Sequence, residues 1–297
     1  MRMNLNRKSA VRSTLRFAPG LALAIALSAL ATAVSAQAPS TLRVVSLGGS
    51  TTETVFALGA EGLLVGVDQS SIYPAAAEAL PDVGYYRTLG TEGILSLAPD
   101  LVLAAEGSGP PAVLAQLRAA GVTVVAVPGG EHPRAAIDKV RIVAAALGRA
   151  SDGEVLEASI QADLERLAAM PLPTGVAPRA LFVWGRGGQT MQVAGSATGA
   201  QAMLELAGAA NAIQGFEGYR PLTPEAVVAA APEVIVIDAD LLDRLGGVAG
   251  LASDPALAVT PAVQAGRVVP IDVLGFLGFG PRTAELAIDL RRALAER

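Results

Sequence analysis

The sequence predicts an α/β fold of two similar lobes, each built on a parallel-type sheet and joined by one long helix. Three observations predict it. Short apolar strand-like runs alternate with helix-length segments, the pattern of a parallel sheet covered on both faces. YRTLGTEGILSLAPDLVL from Tyr86 lies without a gap over YRPLTPEAVVAAAPEVIV from Tyr219, at a constant offset of 133 residues, as a duplicated lobe would. Between the halves, residues 151–170 read as an uninterrupted helix. Leu156, Ile160, Leu164 and Leu167 recur at helical spacing, Ser151 or Asp152 is placed to cap it, and Pro171 and Pro173 end it. About 19 helical residues make a rod of roughly 28 Å, and a rod between two lobes leaves a cleft.

Residues 1–36 read as a secretory signal peptide. Arg2, Arg7, Lys8, Arg12 and Arg16 form a basic leader without acids; LALAIALSALATAV and a small-residue site at Val34-Ser35-Ala36 follow. The apolar run is short for a membrane span. Of 22 basic and 27 acidic residues, the leader holds five basic ones, leaving 17 against 27 and a net charge of −10. That balance argues against a nucleic-acid partner. With no cysteine there is no disulfide, thiolate metal site, thiol nucleophile or lipid-modified anchor. The expectation is a free periplasmic chain acting as a monomer, with lobes at 42–150 and 178–297.

The elements follow in order. A strand at 42–47 runs through Gly48-Gly49-Ser50 into a helix at 51–59, with Ser50 and Glu53 in a capping-box pattern and Gly59 as its stop. This turn is either a plain tight turn or an anion site; it lacks the dinucleotide fingerprint and the P-loop lysine. A strand at 63–67 leads into a long loop holding Tyr73, Tyr85, Tyr86 and Arg87. Thr91 is read as capping the next helix, which Pro99 stops. A strand at 100–104, a helix at 110–120, a strand at 122–127 and a helix at 134–147 complete the first half. The scheme restarts with a strand at 180–184 and an extended piece at 191–193. Gly195-Ser196-Ala197-Thr198 echoes Gly49-Ser50-Thr51-Thr52 before a helix at 200–208, and a late strand at 268–271 and a helix at 281–296 close the chain.

All four tyrosines lie in the two loops that the repeat relates. Ligands of open α/β sheets bind beyond the carboxyl ends of the strands, so these loops are candidate cleft walls. Packing under the loops is the alternative, but tyrosine beside arginine makes a poor core pair. Tyrosinate is a hard oxygen ligand suited to ferric iron, including haem iron, and a neighbouring arginine favours its charged form. In an extended segment Tyr85 and Arg87 would share a face, with Tyr86 opposite. Arginine also pairs with carboxylates such as haem propionates. Glu92 and Glu225 each sit in the first turn of a helix at equivalent places of the repeat. They either stabilise the helix dipole or form a matched pair of acids for a two-fold symmetric partner. His132, the single histidine, lies in a loop before Pro133; one histidine and no cysteine disfavour zinc, and no G-x-S-x-G elbow supports a hydrolase. Phe276 and Phe279 in GFLGFGPRT either line an apolar ligand face or pack on the second lobe, with Arg282 at the start of the last helix.

LPDVGYYRTLGTEGILSLAPDLVL (80–103), GYRPLTPEAVV (218–228) and GFGPRT (278–283) resemble stretches of the periplasmic haem-binding proteins of bacterial haem-uptake ABC transporters, within the siderophore and cobalamin binding-protein class. The resemblance implies a class III periplasmic binding protein, two lobes on one rigid helix, carrying ferric haem to an inner-membrane importer. It implies that Tyr85, in the family's Gly-Tyr-x-Arg segment, is the axial iron ligand and that Arg87 holds a propionate. Tyr86, Tyr219, Arg220 and Arg282 are the further cargo-binding candidates. It implies that Glu92 and Glu225 dock on arginines of the permease. The internal repeat pairs Tyr219 with Tyr86, whereas the family motif points to Tyr85. Residues 182–196 contain no histidine, leaving Met191 as the weak substitute for a second protein ligand. A ferric siderophore or cobalamin as cargo and an exported α/β enzyme are the rival readings.

Overall fold

The computed structural model describes residues 41–172, 175–185 and 190–295; the leader at 1–36 lies outside them. The first sheet is parallel throughout. Its strands β1 (Val44–Leu47), β2 (Leu64–Val67), β3 (Leu101–Ala105) and β4 (Thr123–Val127) lie in the order β2-β1-β3-β4. Near-continuous apolar runs suit strands buried on both faces. Val45, Leu47, Val102 and Ala104 pack with Ile94 of α2 (Thr91–Ser96) and with Val113 and Leu117 of α3 (Pro111–Ala119). Val44, Leu101, Leu103 and Val127 pack the other way. They meet Val55 of α1 (Gly49–Ala57), Val140 and Val143 of α4 (Arg134–Ala146), and Ile160 of α5 (Ala150–Ala169).

The second lobe repeats this core. Strands β5 (Arg179–Trp184), β7 (Ala210–Asn211), β9 (Val234–Asp238) and β10 (Val268–Ile271) are parallel and adjacent in the order β7-β5-β9-β10, that of the first sheet. The offset of 133 carries through the geometry. Helix α7 (Pro224–Ala230) and β9 answer α2 and β3, and Ala98 and Ala231 take the same left-handed backbone, with φ of 43° and 39°, before Pro99 and Pro232.

The second sheet departs from the expected parallel pattern. Strands β6 (Gln192–Ala194) and β8 (Tyr219–Pro221) add antiparallel to β5 and to each other, so this sheet is mixed. The connection from β5 to β6, residues 185–191, is too short for a crossover helix and only a return strand can follow.

Helix α5 starts one residue earlier than expected. Arg149 takes the cap position without a side-chain cap, and Asp152 pairs with Arg149 at 3.1 Å instead of capping. It is buried in both cores: Ile160, at its middle, packs in the first lobe's cluster and Leu167, near its C-terminus, in the second's. Arg291 of α12 (Thr283–Ala295) is buried and donates to the carbonyls of Leu167 and Met170 at the end of α5. It also donates to Leu206 and Ala207 at the end of α6 (Gly199–Ala207). One guanidinium thus satisfies terminal carbonyls of two helices. Among the described residues no helix is long and apolar enough to cross a membrane.

Candidate functional site

The carboxyl ends of β1 and β2 are tied together by Asp68, the residue after β2, which is 2% exposed. Its Oδ1 accepts from Gly48 N at 2.7 Å and Ser71 Oγ at 2.9 Å; its Oδ2 accepts from Ser70 Oγ at 2.8 Å and Ser70 N at 3.0 Å. Tyr86 N approaches Oδ2 at 3.4 Å. Gly49 N is taken by Ser70 Oγ at 2.9 Å. The glycine turn therefore serves as a plain turn whose anion is a carboxylate of the chain itself.

This network and the loop after β3 hold the Tyr85–Arg87 segment. Thr88 N donates to Tyr85 O and Gly109 N to Tyr86 O, each at 2.9 Å, closing a turn. The extended geometry expected from the sequence is not found here. Tyr85 meets Tyr86 edge-on with ring centroids 5.0 Å apart, and the Arg87 guanidinium carbon lies 4.9 Å from the Tyr86 centroid. Arg87 therefore stacks on Tyr86 rather than opposing it. Its other side lies over Gly107 (φ +78°), where a Cβ would come within 2.6 Å of Nη1. Tyr86 packs against the first lobe's core, and burial raises its phenol above the ordinary value, with Arg87 only partly offsetting this. Desolvation disfavours the guanidinium charge, but the facing Tyr86 and Tyr85 outweigh it and hold Arg87 above its ordinary value.

In the second lobe Tyr219 and Arg220 are neighbours on β8, opposite Ala194 and Val193, so they face opposite sides of the ribbon. Tyr219 is 37% exposed and lies edge-on to Trp184, the chain's single tryptophan, with centroids 5.8 Å apart. Its phenol is pushed up to about 12, chiefly by burial. Glu131 of the first lobe adds to this, while the Ala200 backbone and the Thr198 hydroxyl oppose it. Arg220 is exposed and lies over the Phe216 ring at 4.5 Å.

The other candidates separate. Phe276 and Phe279 are fully buried, and Phe276 stacks on Phe182 at 5.9 Å, so they pack in the second lobe's core rather than line a ligand face. His132 is exposed, its Nδ1 accepting from Arg134 N at 3.1 Å, and Met191 packs against the Leu181–Val183–Val193 cluster. Glu92 and Glu225 are both exposed in the first turns of α2 and α7, two residues and so about half a turn from the buried Ile94 and Val227. Thr91 does not cap α2: Gly90 holds that position, and the Thr91 hydroxyl donates to Gln116.

Arg282, expected to hold a propionate, is occupied otherwise. Its Nη2 lies 2.8 Å from Glu53 Oε2 and 2.9 Å from Asp272 Oδ2; its Nε donates to Glu53 Oε1 at 3.1 Å, and the guanidinium carbon sits 3.6 Å from the Tyr73 centroid. Glu53 therefore does not close a capping box; α1 has no side-chain cap. Beside this cluster Lys139, 2% exposed, donates to Ser50 Oγ at 2.6 Å and to Gly278 O at 2.5 Å, and burial pulls its ammonium down to about 8. Lys139 occupies the core face of α4 with Ala136, Val140 and Val143, which is a readable signal that sequence reasoning passed over.

Residues 44–273, well over half of the chain, match the family model described as periplasmic binding protein. The chain belongs to this periplasmic binding protein family. Solved structures similar to this binding protein include the periplasmic heme-binding protein BhuT in complex with two hemes: 43% identity, TM-score 0.79, over 86% of this chain and 98% of that one. The periplasmic heme-binding protein RhuT from Roseiflexus sp. RS-1, in apo form, is 41% identical with a TM-score of 0.80 over the same shares. HutB of Vibrio cholerae, also a periplasmic heme-binding protein, is 31% identical with a TM-score of 0.76, over 85% of this chain and 98% of that one. Among curated relatives, the uncharacterized ABC transporter substrate-binding lipoprotein YvrC of Bacillus subtilis (strain 168) is 28% identical over 65% of this chain. A vitamin B12-binding protein of Yersinia pestis (strain Pestoides F) is 43% identical over 28% of it. The matched stretches span 62% and 29% of those two relatives, less than two thirds of either.

Proposed function

We propose that this binding protein captures ferric haem between its lobes in the periplasm and hands it to an inner-membrane ABC importer. The observation that carries the reading is the Tyr85-Tyr86-Arg87 turn, a guanidinium against two phenols at the carboxyl ends of a parallel sheet. Tyr85 is the axial iron ligand and Arg87 holds a propionate. Tyr86 braces Arg87. Tyr219, with its hydroxyl turned to Thr198 and Ala200 and hard to ionise, is an aromatic wall beside Trp184 rather than a ligand. Arg220, exposed on β8, holds the second carboxylate, in preference to Arg282, which is engaged by Glu53 and Asp272. The protein works as a binding protein and not an enzyme. Having no cysteine to carry a lipid, it moves freely after removal of its signal peptide.

The single tryptophan supplies the test. Haemin bound beside Trp184 quenches its fluorescence while the visible spectrum gains a high-spin tyrosinate charge-transfer band, both saturating at the same ratio. The sequence match to a vitamin B12-binding protein makes cyanocobalamin the proper competitor. Saturable quenching by cyanocobalamin and none by haemin would replace the cargo and leave the cleft.

Glu92 and Glu225 dock on basic residues of the permease, one from each lobe. With both reversed to lysine, cargo binding stays at the wild-type value, and stimulation of ATP hydrolysis by the importer in proteoliposomes falls at least about tenfold, the range of one to two lost interfacial ion pairs.

A further inference from the structure

The lobes are linked by more than α5. Gly278 O, Arg282 and the glycine loop around them, in the second lobe, close on Lys139, Ser50, Glu53 and Tyr73 of the first, with Asp272 pairing Arg282 from within its own lobe. The contact is shielded. The side chains of Glu53 and Arg282 are 8% and 18% exposed, whereas those of the surface pair Arg141–Asp138 are 60% and 59% exposed. A shielded pair resists salt screening that removes exposed ones. The fit is also close. A Cβ on Gly278 would lie 2.8 Å from Ser50 Cβ, and one on Gly280 would lie 3.3 Å from it, so the loop reaches α1 only as glycine. The space left among Ser50, Glu53, Tyr73, Leu274 and Arg282 is about 10 Å³, room for no more than about one water.

We infer that the Lys139–Gly278 and Glu53–Arg282 contacts form a cross-lobe clamp that fixes the spacing of the lobes and so the aperture of the cleft. Helix α5 alone would let the second lobe swing about its C-terminal end, since Leu156, Ile160 and Leu164 pack in the first core and Leu167 in the second. The clamp removes that freedom with directional bonds placed by α1, α4 and the Asp272-capped helix α11 (Val273–Gly278). Lys139, Glu53 and Arg282 are therefore positioning residues. Their effect on cargo rests on the reading above; their effect on spacing does not.

The absence of cysteine makes the test direct. Spin labels at Ser96→Cys and Ala229→Cys, exposed positions 133 apart on α2 and α7, report the distance between lobes in the cargo-free protein. Lys139→Met with Arg282→Met should lengthen and broaden the distance distribution, and Arg282→Lys, which keeps a cation, should restore much of it. Far-UV circular dichroism and a cooperative melt establish that the variants are folded; if the double variant fails to fold, Glu53→Gln is read by the same labels. In haemin titrations the open variants should bind about tenfold more weakly, with the tyrosinate band unchanged. An unaltered distance distribution in folded variants overturns the clamp. A lengthened distribution in a protein that binds no haemin keeps the clamp and overturns the cargo.

Discussion

Tyr85→Ala is expected to lose the tyrosinate charge-transfer band and to bind haemin at least about a hundredfold more weakly, roughly 3 kcal/mol. The axial oxygen bond is the one contact in the proposed site made to the iron; the remaining contacts hold carboxylates and ring surface, so a variant without it retains weak, spectrally altered binding. The neighbouring phenol does not take over. Tyr86 is packed against the core, its ring is faced by Arg87, and burial opposes its ionisation. Tyr85→Phe separates the oxygen from the ring, because the edge contact with Tyr86 at 5.0 Å persists while the ligand atom is gone. Loss of the band in Tyr85→Phe with retention in Tyr86→Phe supports the assignment; the reverse moves the iron to Tyr86.

The duplicated lobe was legible because its signals are dense and local. Ile94 and Val227 face the cores, Pro99 and Pro232 stop the helices, and the following strands are fully or nearly fully buried, all at one offset. The return strands β6 and β8 were hidden because three residues of extended chain carry no periodicity, and their pairing depends only on the shortness of a connection. The Tyr-Arg pair was legible as a candidate but not as a geometry. Alternation across an extended segment fails where Thr88 and Gly109 bond the chain into a turn. The ion pair of Arg282 was not legible because its partner Glu53 is 229 positions away, and the same distant bond defeated the local capping-box pattern at Ser50. Charge pairs between lobes leave no spacing to read.

Asp68→Asn should destabilise the fold by about 4 kcal/mol, near 10 °C in melting temperature, from the loss of charge-assisted bonds and the stranding of a buried donor. Both carboxylate oxygens accept from a backbone amide, Gly48 N on Oδ1 and Ser70 N on Oδ2. Whichever way an asparagine is turned, its NH2 confronts one of these N–H groups; the hydroxyls of Ser70 and Ser71 can rotate to accept, but an amide cannot. The charge itself sits at the N-terminus of α1, where the helix dipole favours it. The same carboxylate faces Tyr86 N at 3.4 Å, so the substitution also loosens the turn that carries Tyr85. Hydrogen exchange should quicken at Gly48, Ser70 and Tyr86, and haemin affinity should fall several-fold with the tyrosinate band retained. A wild-type melt with wild-type exchange at those three amides would show that the glycine turn and the Tyr-Arg turn are held by something other than Asp68. A fallen melt with unchanged haemin affinity would confine Asp68 to the fold. Loss of both together is the result that ties the buried carboxylate to the position of the proposed iron ligand.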